Sequence, residues 1–297
     1  MTASTQDQPP LNILITGAAG LVGSILAARL LNTPQYRLVL TDLAEPSIPS
    51  NVTYPQHATT LKGDITSPAF LTTLLTHPAL QPLHAVFIFH GIMSAASEAD
   101  PALSLRGSKV PPHWAPTPQS TYGAHKLMTE TYLNELHRRG ALDVFTARFP
   151  TISVRPGKPT GAASSFLSGI VREPMAGKEC VVPLRDRGFR AFLTAPSTVV
   201  ENLVRVLGMD SGVLPPHKRQ IVFPGVAVSV QELRDALAKY GGEERLGLIR
   251  EVEDEGLERI LRSWAEDFEV DEAVRLGLVV DQSGDELVRE YVESLGK

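Results

Sequence analysis

The sequence predicts an α/β protein: a Rossmann-type, doubly wound parallel sheet followed by a smaller carboxy-terminal mixed α/β region. Three observations predict it. Short β-branched runs alternate with helical patterns, a glycine-rich turn joins the first run to the first helix, and an acidic residue closes the second run. Strands joined by helical crossovers lie parallel and have both faces covered, so the runs read as continuously apolar.

Taken in order, residues 11–16 form a buried strand and 21–32 the helix after it, with 36–41 as the second strand. A weaker strand lies just before Gly63, 70–75 make the next helix and 84–89 the fourth strand. After Gly91 the pattern fails. Residues 94–119 offer at most one short helix near 96–105, then Pro111, Pro112, Pro116 and Pro118, and no run that qualifies as a strand. Regularity resumes with a long amphipathic helix over 121–139 and a strand over 142–149. Beyond it, 164–172, 197–207 and 230–240 read as helices and 220–223 and 246–252 as strands. The expected organisation is a flexible segment 1–10, a dinucleotide-binding domain 11–150 and a mainly substrate-binding region 151–297.

Composition narrows the class. With 43% hydrophobic residues in 297, the chain can fill a core of one large or two modest domains. Its 28 Lys and Arg against 33 Asp and Glu leave no basic excess for a nucleic acid. The acidic excess sits in 241–297, where charges alternate with apolar residues at helical spacing, as a solvated helix face does. A lone cysteine, Cys180, forms no internal disulfide, and 1–10 hold no apolar secretory stretch, so a reducing, cytoplasmic setting is expected. No run approaches the ~18 apolar residues of a membrane span.

Two motifs carry chemistry. In Gly17-Ala18-Ala19-Gly20-Leu21-Val22-Gly23 the glycines allow a tight turn and close approach of the backbone to a pyrophosphate, which the following helix amino terminus favours. Asp42, 25 residues after Gly17, is placed to accept from an adenosine ribose and to repel a 2′-phosphate, so NAD is expected over NADP. The second motif is Tyr122-Gly123-Ala124-His125-Lys126. Four residues apart on one helix face, the Lys126 ammonium can lower the Tyr122 pKa and make the phenol a usable general base. His90 has no ligand-like spacing to other histidines or acids, so no metal is expected.

These residues resemble the extended short-chain dehydrogenase/reductases, the NAD-dependent epimerase/dehydratase family. The resemblance covers nearly the whole chain, with Gly63-Asp64-Ile65 where the family holds adenine. The stretches Arg148-Phe149-Pro150-Thr151, Val154-Arg155-Pro156-Gly157-Lys158-Pro159 and Gly169-Ile170-Val171-Arg172-Glu173-Pro174 look like the D-erythronate dehydrogenase branch. The resemblance implies Tyr122 and Lys126 as catalytic residues, with Lys126 also holding the nicotinamide ribose. It implies cofactor contacts at Gly17, Gly20, Leu21, Val22, Gly23, Asp42, Asp64, Ile65 and Gly91. A small hydroxy-acid or sugar-acid substrate needs a cation, for which Arg155, Lys158, Arg172 and Arg190 are candidates, Arg155 and Arg190 foremost, with Ser94 and Ser97 near the nicotinamide. The resemblance also implies a homodimer, and composition gives no nucleic acid or membrane partner.

One departure matters. The family has a strand and helix between His90 and the catalytic tyrosine, with a Ser or Thr that bonds the reacting hydroxyl. Here only 30 residues separate Gly91 from Tyr122, too few for that unit, and no aligned serine exists. Either an internal block is missing, the favoured explanation, or Ser94, Ser97, Ser120 or Thr121 takes its role. The leading reading is thus an NAD-dependent dehydrogenase impaired by loss of that region. The alternatives are an NAD-binding protein without turnover and a nucleotide-sugar epimerase or dehydratase.

Overall fold

The computed structural model describes residues 9–90, 109–111, 115–118 and 121–296. Its contacts divide the chain into two compact units, 1–92 and 93–297.

The first unit runs β1 (Leu11–Thr16), α1 (Leu21–Leu30), β2 (Tyr36–Asp42), β3 (Ala58–Lys62), α2 (Pro68–Leu75) and β4 (Ala85–Ile88). The strands form one sheet in the order β3-β2-β1-β4, every pairing parallel, so the order reverses at β1. That reversal is the feature of a doubly wound sheet beside which ligands bind. Ile13, Ile15, Leu38 and Leu40 are buried, and so are Leu14 and Val39 between them, so β1 and β2 are covered on both faces. Leu14 and Val39 pack with Leu74 of α2 and with Leu80. Helix α2 starts two residues before the apolar pattern does, because Ser67 caps it, accepting from the Phe70 N–H, and Pro68 fits its first turn.

The second unit contains β5 (Lys109–Val110), α3 (Thr121–Arg138), β6 (Thr146–Arg148), β7 (Thr151–Ile152), α4 (Ser165–Met175), β8 (Cys180–Val182), β9 (Arg190–Thr194), α5 (Pro196–Leu207), β10 (Gln220–Val222), β11 (Val226–Ser229), α6 (Val230–Gly241), β12 (Ile249–Glu251), α7 (Glu255–Arg262), β13 (Asp267–Phe268), α8 (Asp271–Arg275) and α9 (Gly284–Ser294). Its sheets are short: β11-β9-β7, and the pairs β10-β6, β12-β8 and β13-β5. The core gathers Leu167, Ile170 and Val171 of α4 with Leu233 and Leu237 of α6 and Val288 of α9. Helix α4 is the centre of this unit, buried from Phe166 through Pro174.

Several elements differ from the sequence expectations. The strand expected over 142–149 shrinks to β6, because side chains satisfy the backbone ahead of it: the Val144 N–H donates to His137 Nδ1 at 3.2 Å and its carbonyl accepts from Arg219 Nε at 2.8 Å. Of 246–252 only Ile249–Glu251 pairs as a strand. The Arg245 side chain donates to the carbonyls of Gly241, Pro174 and Met175 and folds the preceding residues into a tight turn on α4. The two-residue β5, too short to give a pattern, pairs with β13. The short helix expected near 96–105 lies outside the described residues. Helix α3 does not bury a core face: none of its residues is buried, and Met128 and Tyr132 are 59% and 65% exposed. Polar contacts hold it instead, chiefly Glu130 with Arg148. Where the sequence groups 121–149 with the amino-terminal sheet, contacts assign α3 and β6 to the second unit, and β6 pairs with β10.

Candidate active site

In the first unit the glycine turn follows β1 directly. Gly17 has φ +70, and a Cβ there would lie 2.6 Å from the His90 nitrogen and 2.7 Å from the Phe89 carbonyl carbon. A Cβ on Gly23 would lie 2.5 Å from the Gly17 oxygen. Both positions therefore admit only glycine, which draws β1, the end of β4 and the start of α1 close together. Gly20 caps α1 without a side-chain bond, leaving the first-turn N–H groups for another acceptor. Leu21 and Val22 are half-buried beside it.

Asp42 ends β2 and is tied to this turn: its Oδ2 accepts from Ala19 N–H at 3.0 Å and its Oδ1 from Leu43 N–H at 2.7 Å. The Ala18 N–H donates to Thr41 oxygen at 3.2 Å. Asp64 is exposed after β3, and its Oδ1 accepts from both the N–H and hydroxyl of Thr66, which hold its carboxyl below the usual range. Ile65 beside it is half-buried. His90 Nδ1 lies 2.8 Å from the Thr16 hydroxyl, a local bond of the kind expected for a strand-end residue. A glycine cradle, unused helix N–H groups and an acid at the end of β2 fit the diphosphate and ribose of a dinucleotide. The expected contacts at Gly91, Ser94 and Ser97 fall outside the described residues.

In the second unit, α3 carries Tyr122 and Lys126 one turn apart, with Lys126 Nζ 5.5 Å from the Tyr122 ring centroid. Burial pushes the Tyr122 phenol above its ordinary value, and the opposing cation is Arg155. This corrects the expectation that Lys126 lowers the phenol: Lys126 is exposed and lies over the ring, where water screens its charge.

Arg155 follows β7. Its N–H donates to Ser168 Oγ at 3.0 Å and its Nε to Ile152 oxygen at 3.0 Å, while its carbonyl accepts from Arg172 Nη1 at 2.9 Å. Among the described residues neither Nη group of Arg155 has a partner. Burial first, and then the Arg172 charge, lower its pKa; the Tyr122 phenol acts the other way.

The remaining cations sort clearly. Arg172 is buried and donates through Nε and Nη2 to Glu173 Oε1 at 3.1 and 2.7 Å, so its guanidinium is already engaged by a carboxylate. Arg190 donates to Ala227 oxygen and pairs with Glu232 at 3.6 Å, so its guanidinium is already engaged. Lys158 is exposed on the loop after Arg155. The sequence reading assigned no role to Ser168 or Glu173. The signal for Ser168 was its four-residue spacing from Arg172, which puts both on one face of α4. Among the described residues no cluster could hold a metal, and no helix is long and apolar enough to cross a membrane.

Comparison with known proteins agrees with this geometry. The NAD dependent epimerase/dehydratase family matches residues 13–100. D-erythronate dehydrogenase of Haemophilus influenzae is 31% identical over 322 positions, covering 95% of this chain and 99% of the relative. That of Cupriavidus necator is 30% identical over 331, covering 96% and 99%. Among solved structures, a nucleoside-diphosphate-sugar epimerase from Agrobacterium tumefaciens superposes with TM-score 0.86 at 26% identity, over 100% of this chain and 99% of that one. L-threonine 3-dehydrogenase from Trypanosoma brucei shares the fold, with TM-score 0.77 at 17% identity over 95% and 96%. With 95–96% of 297 residues in alignments 322 and 331 positions long, roughly 40 positions of each face no residue here, a length that accommodates the ~30 or more of a strand–helix–strand unit. A glycine cradle closed by Asp42, a Tyr–Lys helix and full-length likeness to two curated dehydrogenases lead to one conclusion: the chain belongs to the extended short-chain dehydrogenase/reductases, the NAD-dependent epimerase/dehydratase family, as one of its dehydrogenases.

Proposed function

We propose that this protein oxidises a secondary hydroxyl of a small, D-erythronate-like hydroxy acid or sugar acid with NAD. The observation that carries this reading is Arg155: a partly buried guanidinium, coupled electrostatically to the Tyr122 phenol, with both Nη groups unengaged among the described residues. Two parallel N–H donors match a carboxylate. The first unit supplies the cofactor cradle, with Gly17, Gly20 and Gly23 against the diphosphate and Asp42 at the adenosine ribose. Asp42 leaves no room for a 2′-phosphate charge, which favours NAD. NAD, when bound, supplies the acceptor for the hydride leaving the carbinol carbon.

The chain's own groups do the rest. Arg155 fixes the substrate through its carboxylate, and Tyr122, as phenolate, takes the hydroxyl proton. Lys126, over the ring face, orients the phenol and is available to a ribose hydroxyl. The relatives named for D-erythronate support the substrate class.

The decisive experiment measures NADH formation with D-erythronate and a panel of related acids. Tyr122→Phe is expected to cut it by roughly 10²–10⁴-fold, the range of general-base loss, while NAD still raises the unfolding temperature. Unchanged turnover in Tyr122→Phe overturns the assignment. A second reading, NAD binding without turnover, is favoured by the roughly 40 relative positions that have no counterpart here; it predicts the thermal shift with no NADH from any acid.

A further inference from the structure

We propose that Ser168, Arg172 and Glu173 of α4 are positioning residues that aim the Arg155 fork at the substrate carboxylate. The inference rests on the functional reading above. Arg155 sits in a stretch without regular structure, which by itself would leave a long side chain free to wander. Helix α4 holds its backbone from one face. Ser168 takes the Arg155 N–H and Arg172, one turn on, donates to the Arg155 carbonyl. The peptide units on either side of its Cα are therefore fixed.

The grip is itself held. Arg172 is 6% exposed, and two of its nitrogens converge on Glu173 Oε1. Ser168 Oγ donates to Ser153 Oγ at 3.3 Å, and Ser153 Oγ donates to the Leu167 carbonyl at 3.3 Å. Burial of α4 on nearly all sides stops these groups from relaxing. The Arg155 Nε bond to Ile152 oxygen then sets the plane of the guanidinium, leaving its two Nη groups as the recognising edge.

Charge points the same way. Glu173 pairs with Arg172, whereas among the described residues no carboxylate pairs with the neighbouring Arg155. A half-buried guanidinium without a carboxylate partner among the described residues favours an incoming anion, and a rigid fork is most selective for a planar one.

The test measures calorimetric affinity for D-erythronate in the NAD-saturated Tyr122→Phe protein, where no turnover occurs, with KM and kcat on the Tyr122 enzyme alongside. Ser168→Ala and Arg172→Lys are expected to weaken D-erythronate binding about tenfold or more and to raise KM with kcat changed less than about threefold, leaving NAD affinity unmoved. Neither is expected to weaken binding further once Arg155→Gln is present. The carboxylate-free polyol erythritol is expected to bind equally to all forms. Ser168→Ala removes one hydroxyl and keeps the proposal testable if Arg172→Lys fails to fold. Additive losses in the Arg155→Gln background, or equal losses for erythritol, overturn the proposal. Unchanged D-erythronate affinity in Arg155→Gln overturns the functional reading itself, whereas loss in Arg155→Gln but not in the α4 variants overturns only the positioning role.

Discussion

Replacing Arg155 with Gln removes the group on which the substrate assignment depends, and its effects divide into two measurable parts. The first is binding. Two hydrogen bonds from a guanidinium to a carboxylate are worth about 1.5–3 kcal/mol each when one partner is charged, and partial exposure discounts their sum to about 2–4 kcal/mol. That is roughly 30- to 1,000-fold in affinity for the acid. The second part is acidity. Burial already holds the Tyr122 phenol above its ordinary value and Arg155 is the charge that pulls it down, so its removal sends the phenol higher still. Since the phenolate is the working base, kcat/KM for oxidation climbs with pH until the phenol's pKa is passed, and that limb moves to higher pH in Arg155→Gln. Arg155→Lys separates the parts: the charge remains and the fork is lost, so KM rises while the limb stays. Initial rates of NADH formation against pH and acid concentration measure both. A KM within threefold of the parent value and an unmoved limb in Arg155→Gln would refute the reasoning.

Three further outcomes follow from the same geometry. Gly23→Ala puts a Cβ 2.5 Å from the Gly17 oxygen and 2.8 Å from the Ala18 Cα, both backbone atoms, so the turn must open; a loss of about 1–3 kcal/mol in urea unfolding and loss of the NAD-induced thermal shift are expected. Asp42→Ala removes the acceptor for the Ala19 and Leu43 N–H groups and the charge facing a 2′-phosphate; the NAD-to-NADP ratio of kcat/KM is expected to fall about tenfold, and an unchanged ratio contradicts the ribose assignment. The Cys180 thiol, pushed up to about 12 chiefly by burial and then by Glu173, stays protonated across the physiological range, so a maleimide at pH 8 labels it only after denaturation.

The first unit was legible because its signals are local. Leu11–Thr16 and Tyr36–Asp42 hold the short apolar runs Ile13-Leu14-Ile15 and Leu38-Val39-Leu40, and the turn between β1 and α1 needs glycine for reasons contained in a few residues. The second unit was less so. A stretch such as 142–145 is apolar enough for a strand, yet its backbone groups are claimed by His137 and Arg219, the latter 75 residues beyond the carbonyl it caps. The site shows the same contrast. Tyr122 and Lys126 declare themselves by spacing, whereas the choice among Arg155, Arg172 and Arg190 depends on which guanidiniums already have partners, and those partners are distant or unremarkable in sequence. Ser168 shows only its four-residue spacing from Arg172, which by itself names no role.

In each unit a parallel strand stands at a sheet edge among the described strands. In the first, β4 is the edge of the sheet, bonded to β1 alone among the described strands, and Val86 and Ile88 are 43% and 53% exposed where the neighbouring Leu14 and Val39 are buried. A strand inside a doubly wound parallel sheet is covered on both faces, so β4 has the exposure of a strand that lacks a neighbour and its helix. In the second, β6 pairs only with β10 among the described strands. Both are edges among the described strands, and roughly 40 alignment positions of each relative face no residue here. The cradle of Gly17, Gly23 and Asp42 is built within the first unit, and the Tyr122 and Arg155 pair with its α4 support within the second. If an internal strand–helix block is missing, binding of the dinucleotide and of the carboxylate should therefore outlast turnover, because only turnover requires the hydroxyl donor that the family resemblance places on that strand.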